Sequence, residues 1–125
     1  MLRKEITYTD FDGNERTETF MFTLTQPELV RLEVSLEGGL EGSINEMIEK
    51  KDGVEIVGFF ERVISMSYGE KSDDGRFFEK SEALSARFMQ SAAYSQLFTD
   101  LLTDTDAATA FFSGVIQVPT QKPQL

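Results

Sequence analysis

Cysteine and histidine are both missing from this chain of 125 residues, and their absence removes most of the usual catalytic repertoire. Without cysteine there is no disulfide, no thiolate nucleophile and no thiolate metal site, a composition that suits a reducing compartment. Without histidine, the commonest general base and the commonest transition-metal ligand are gone, leaving carboxylates, lysines and tyrosines for acid–base work. No apolar run approaches the roughly 20 residues that span a bilayer, and residues 1–12 are charged and lack the apolar centre of a signal peptide. The expectation is a cytoplasmic protein with no membrane partner. Basic residues are scarce as well: 12 Lys and Arg against 22 Asp and Glu give a net charge of −10 without any basic patch. Such a surface repels a nucleic-acid backbone, so no nucleic-acid partner is expected.

What the chain does have is apolar mass. Hydrophobic residues make up 40 % and include eleven Phe, too many for an intrinsically disordered chain despite the acidity. The length suits one domain able to bury a core without staples. Between residues 25 and 66 nine acids face four bases (Arg31, Lys50, Lys51, Arg62), which carries half the net excess. That excess reads as a solvated helical surface in preference to an acidic docking face.

Ile6 and Tyr8 alternate with threonines, and Phe20, Phe22 and Leu24 alternate with smaller or polar residues, Met21 being the exception. Both segments predict strands. The Asp12-Gly13 pair between them supplies the backbone freedom of a hairpin turn. Thr25 stands three residues before Glu28 with Pro27 between them, the spacing of a capping box. Leu29, Leu32 and Leu36 form a helical stripe, Gly38-Gly39 breaks it, and Leu40, Ile44, Met47 and Ile48 form another. Asp52 and Glu55 repeat the capping spacing before a wide stripe of Ile56, Phe59, Phe60, Val63 and Ile64. Residues 68–80 read as a loop or short hairpin, followed by one long helix or two through Leu84, Phe88, Tyr94, Leu97, Phe98, Leu101 and Leu102. Asp104 can cap a last helix carrying Ala108, Phe111, Phe112, Val115 and Ile116. The fold expected is α+β, mostly α: one domain over 1–116, with a hairpin at 3–24 and five to six helices over 25–116. A flexible tail is expected at 117–125.

The motifs that suggest chemistry are weak on inspection. Asp10, Asp12 and Asn14 begin like a calcium loop, yet that loop needs Gly sixth and Glu twelfth, where this chain has Glu15 and Met21. Gly69-Glu70-Lys71-Ser72 ends like a phosphate-binding loop but lacks its first glycine and the apolar strand that leads into it. Asp73 and Asp74 are adjacent in a Gly-containing segment, where two carboxylates need not face one pocket. No catalytic, cofactor or metal residues are therefore assigned. Adjacent Phe pairs are a different matter, because neighbours on a helix point about 100° apart and both are buried only under a broad cover. Complete burial is favoured over use at a partner surface.

The run YGEKSDDGRFFEKS at 68–81, the AYSQLF at 93–98, the opening ITYTDFDGNERTETFMFTLT and the late AATAFFSGVI together resemble the tail assembly chaperones of long-tailed bacteriophages. The resemblance covers most of residues 2–116. It implies a non-enzymatic protein of the host cytoplasm that binds the long helical tape-measure protein and helps bring tail-tube subunits to it, with self-association a further expectation. Phe77, Phe78, Phe88, Tyr94 and Phe98 are the candidate contact residues, and Tyr68, Lys71 and Arg76 lie in the same resembling stretch. The alternative is a structural virion subunit of the tail tube or head–tail joint, which ring formation would distinguish. An enzyme is the third and least supported reading, given the missing residue types.

Overall fold

The architecture comes from a computed structural model that describes residues 1–50 and 53–116, apart from the side chains of Met47 and Ile48. The Met47 and Ile48 end of the second stripe, the Asp52 cap and the 117–125 tail lie outside the described residues. Ten elements follow in order: β1 Leu2–Thr9, β2 Glu15–Phe22, α1 Gln26–Ser35, α2 Gly39–Lys50, α3 Gly53–Ser67, β3 Tyr68–Lys71, β4 Phe78–Glu79, α4 Glu82–Met89, α5 Ala92–Thr103 and α6 Thr105–Val115. This is the expected α+β fold, mostly α, opened by a hairpin.

The hairpin forms where the alternation and the turn residues agree. Leu2 pairs with Phe22 and Thr9 with Glu15, so even-numbered residues of both strands share one face. That face buries Ile6 and Phe22, whereas Arg3, Glu5, Thr7, Thr9, Glu15, Thr17 and Thr19 opposite are exposed. Met21, the odd residue in the pattern, sits half-buried on the outer face, paired with Gly69. At the turn the Gly13 N–H donates to the Asp10 carbonyl at 3.0 Å, and Gly13 takes a φ of 84°, a region that costs a side-chain-bearing residue energy.

The helix boundaries also follow local chemistry. Glu28 accepts hydrogen bonds from the backbone N–H and the hydroxyl of Thr25, both at 2.9 Å, and so fixes the start of α1. Gly38 and Gly39, at φ values of 80° and 76°, turn the chain into α2, whose Leu40 N–H is capped by Glu33 at 2.9 Å. The choice between one helix and two is settled as two: α4 ends at Met89, and the Ser91 hydroxyl accepts from the Tyr94 N–H to start α5. Asp104 caps α6 as expected, accepting from the N–H groups of Asp106 and Ala107.

The segment 68–80 is a hairpin, and it does more than connect helices. β3 pairs with β2 through Met21–Gly69 and Phe22–Tyr68, and β4 pairs with β3, giving a four-stranded antiparallel sheet in the order β1-β2-β3-β4. A Cβ at Gly69 would lie 2.5 Å from both the Glu79 carbonyl oxygen and the Phe78 ring. Only glycine lets the two short strands approach this closely.

Helices cover one face of this sheet. Phe22 and Leu97 are fully buried, with Val63, Ile64, Phe88, Leu101, Phe111 and Val115 around them. The Phe22 ring meets Tyr68, Phe88 and Phe111 edge-on at 5.8, 5.7 and 5.1 Å, and Tyr68 stacks on Phe88 at 4.2 Å. The buried Ser85 hydroxyl donates to the Ser65 carbonyl at 2.7 Å, which satisfies this polar group where α4 meets α3.

Two glycine substitutions separate close approach from helix propensity. Gly69→Ala forces the Glu79 backbone aside and should lower stability by about 1–3 kcal/mol. Gly58→Ala fills open space in the middle of α3 and should raise it by roughly 0.5–1 kcal/mol. Urea unfolding midpoints of the two variants are expected to move in opposite directions.

Candidate partner-binding surface

Two of the acids that hinted at chemistry, Asp10 and Asp74, are occupied by the groups around them. One Asp10 oxygen accepts from the N–H groups of Asp12 and Asn14, both at 2.9 Å, and the other pairs with Arg16 at 2.5 Å. The Arg16 guanidinium and the Asn14 and Asp12 N–H groups hold this carboxyl below its ordinary range. Asp74 is used in the same way, accepting from the Arg76 N–H at 3.0 Å and the Ser72 hydroxyl at 2.8 Å, which lowers its pKa. Each aspartate is a turn former, and among the described residues no group of three or more acids is placed to hold a metal ion.

Glu28 is the most integrated carboxylate. Burial pushes its pKa up, but the Lys80 ammonium together with the N–H and hydroxyl of Thr25 outweighs burial and leaves it below its ordinary value. Lys80 also donates to the Thr23 carbonyl at 3.0 Å, so this ion pair ties the end of the second hairpin to the start of α1. Its role is structural.

The five candidate contact residues fall into three settings. Phe77 is 64 % exposed in the turn after β3, with the Arg76 guanidinium 5.3 Å from its ring. Phe78 is half-buried beside Gly69. Phe88 is only 3 % exposed and lies in the core, out of reach of a partner unless the core opens. Tyr94 and Phe98 are half-buried one turn apart on α5, their rings 5.9 Å apart, and Phe88 meets Tyr94 edge-on at 5.7 Å from beneath. Ring contacts join Phe88, Tyr94 and Phe98 and, among the described residues, do not reach Phe77 or Phe78. The neighbours in the resembling stretch are also engaged: Tyr68 is buried, and the Lys71 ammonium donates to the Ser72 carbonyl at 3.0 Å.

Sequence reasoning missed Leu102, which is 44 % exposed and extends the Tyr94 and Phe98 row at the next i+4 position. The row was findable, because Ala93, Leu97 and Leu101 already fill the buried stripe beside it and leave Tyr94, Phe98 and Leu102 as a second one. A separate cluster joins α3 to α6, where the half-buried Phe112 lies 4.6 Å from Phe60 and 6.0 Å from Phe59.

No helix of the described residues is long and apolar enough to cross a membrane. The fold and its surface thus define a small, mostly helical α+β protein whose most distinctive surface groups are apolar rings, while Asp10, Glu28, Asp74 and Asp104 are spent on turns and caps. The chain belongs to the phage tail assembly chaperone family, whose model matches residues 1–122. No curated protein and no solved structure matches it. Membership makes it a bacteriophage protein with protein partners in tail assembly.

Two substitutions test this description of the surface. The Tyr94 hydroxyl is buried, and no described residue bonds to it; burial and the nearby Glu61 charge raise its pKa. Tyr94→Phe removes an unsatisfied polar atom and should leave stability unchanged or raise it by up to about 1 kcal/mol; a loss above that in urea unfolding would mean the hydroxyl has a partner. For Glu28→Gln a loss of about 1–2 kcal/mol is expected at pH 7. Because the native pKa of Glu28 is lowered, this contribution is present above its ordinary value of 4.5 and disappears as pH falls through the lowered native value. The urea midpoints of wild type and variant should therefore converge as pH falls from 4.5 through that lowered native value.

Proposed function

We propose that this protein is a non-enzymatic tail assembly chaperone that holds the tape-measure protein in the host cytoplasm until tail-tube subunits replace it. The observation that carries the reading is the family match over residues 1–122. Support comes from the row of Tyr94, Phe98 and Leu102 on α5, an apolar stripe on a well-packed helix that buries its neighbouring stripe in the core. Phe77 and Phe78 add a second set of rings on the β3–β4 hairpin, and Phe88 supports the α5 row from behind. Partly exposed rings suit reversible holding, since distributed contacts of modest strength release more readily than one deeply buried anchor. The net charge of −10 keeps a complex with an apolar client dispersed and away from nucleic acid.

Co-expression with the tape-measure protein of the same phage, followed by size-exclusion chromatography with light scattering, tests the reading. The client should stay soluble only as a complex carrying several copies of this chain. A double variant, Phe98→Ser with Leu102→Ser, should reduce the soluble client roughly tenfold, with its circular dichroism melt checking that the fold survives. A client that precipitates regardless, while this chain elutes alone as a closed ring, would overturn the reading.

A further inference from the structure

We propose that β1 is an open sheet edge through which two copies of this chain join, antiparallel, about a two-fold axis at Ile6. β1 stands at one end of the strand order β1-β2-β3-β4, with β2 on one side and no strand on the other. The Asp10 N–H donates to the Asn14 carbonyl at 2.8 Å, which makes that pair a hydrogen-bonded one in the register of the hairpin. Antiparallel pairs alternate, so Lys4, Ile6 and Tyr8 turn their backbone groups to β2, and Arg3, Glu5, Thr7 and Thr9 turn theirs outward. The 2.9 Å contact between the Thr7 and Thr17 hydroxyls agrees, since side chains come closest at the pairs between the bonded ones. Among the described residues no backbone group bonds to those of the four outward residues, and all four are exposed. Edges are commonly blunted by proline or a bulge, and β1 has neither: its pairing with β2 runs unbroken from Leu2 to Thr9. β4, the opposite edge, is only two residues long, so joining through β1 closes at a dimer.

The side chains of β1 select a second copy as the occupant. Each chain carries a charge of −10, yet residues 2–9 hold two bases and one acid, so copies repel least along this edge. A two-fold axis that keeps both helix layers on one side of the sheet sets odd-numbered residues opposite odd-numbered ones. Centring it on Arg3, Lys4 or Glu5 opposes a charge to its own copy, and centring it on Leu2, or on Thr7 and beyond, leaves part of the outward row unpaired. With Ile6 at the centre, Arg3 faces Thr9, Glu5 faces Thr7, Lys4 faces Tyr8, and every outward residue of both copies gains a partner. α5, which packs on β1, keeps its large rings away from this edge: Tyr94 turns to Phe88, and Phe88 stacks on Tyr68 of β3, on the far side of β2. The opposite flank of α5 carries the shorter Ala92, Gln96 and Asp100, with the Gln96 amide donating to Asp100 at 2.9 Å. This pairing needs no client and does not rest on the chaperone reading.

The test uses the full chain alone, by size-exclusion chromatography with light scattering from about 0.01 to 1 mM and by NMR-detected hydrogen–deuterium exchange. A concentration-dependent mass of two chains is expected. In the dimer the amides of Arg3, Glu5, Thr7 and Thr9 should exchange at least about tenfold more slowly, while those of Lys4, Ile6 and Tyr8 are protected at every concentration. Two variants of equal charge on the exposed face check the register. Thr7→Lys sets a lysine opposite Glu5 and should tighten the dimer several-fold, whereas Thr9→Lys sets one opposite Arg3 and should loosen it by a similar factor. A monomer up to the highest concentration, a dimer whose outward amides exchange freely, or equal effects of the two lysines would overturn the proposal. Protection of the same amides only after another protein is added would also overturn it and give the edge to that protein.

Discussion

The fold depends on the environment of one side chain, Phe22. It ends β2, is fully buried, and its ring touches rings from β3, α4 and α6. A two-stranded hairpin is marginal alone in water and needs cover. Phe22 supplies the point where the N-terminal hairpin, the second hairpin and the C-terminal helices share one apolar interior. The stack of Tyr68 on Phe88 braces it from the side, and the ion pair of Lys80 with Glu28 closes the outer end of the same junction. Each of these contacts joins segments far apart in sequence.

That long range explains what could and could not be read in advance. The hairpin, the Thr25 start, the Gly38-Gly39 break and the Asp104 cap are local signals, carried by residues within a few positions of each other, and all are present. The joining of β3 to β2 was not legible. β4 is two residues long, and β3 contains Gly69, Glu70 and Lys71; the strand character of β3 comes from pairing of Tyr68 and Gly69 with Phe22 and Met21 far upstream, and that of β4 from pairing with Glu70 and Lys71. The candidate surface shows the same divide. Tyr94 and Phe98 could be placed on one helix face by counting, but the core position of Phe88 follows from its stacking on Tyr68, a contact that helical periodicity does not reveal. The cluster of Phe112 with Phe59 and Phe60 likewise needs α3 and α6 to meet.

Charge and apolar surface have separate tasks in this protein. Carboxylates that hinted at metal binding or catalysis, such as Asp10 and Asp74, organise turns through their neighbours' N–H groups. Removing either would unsettle a loop before it changed any chemistry. The rings divide into those that build the interior and those, on α5, α3, α6 and the second hairpin, that the interior leaves at the surface. For a member of a family named for tail assembly, that division gives the chain a stable body and spare apolar surface on it.

On the proposed chaperone role, a partner is held on the outside of a finished fold, with the Phe22 interior intact. Hydrogen–deuterium exchange on the chain alone and in complex with the tape-measure protein tests this directly. New protection is expected along α5 around Tyr94, Phe98 and Leu102, with the amides of Phe22, Phe88 and Phe111 protected equally in both states. Loss of protection at those three core positions on binding would show that the partner enters by opening the interior, and would contradict it.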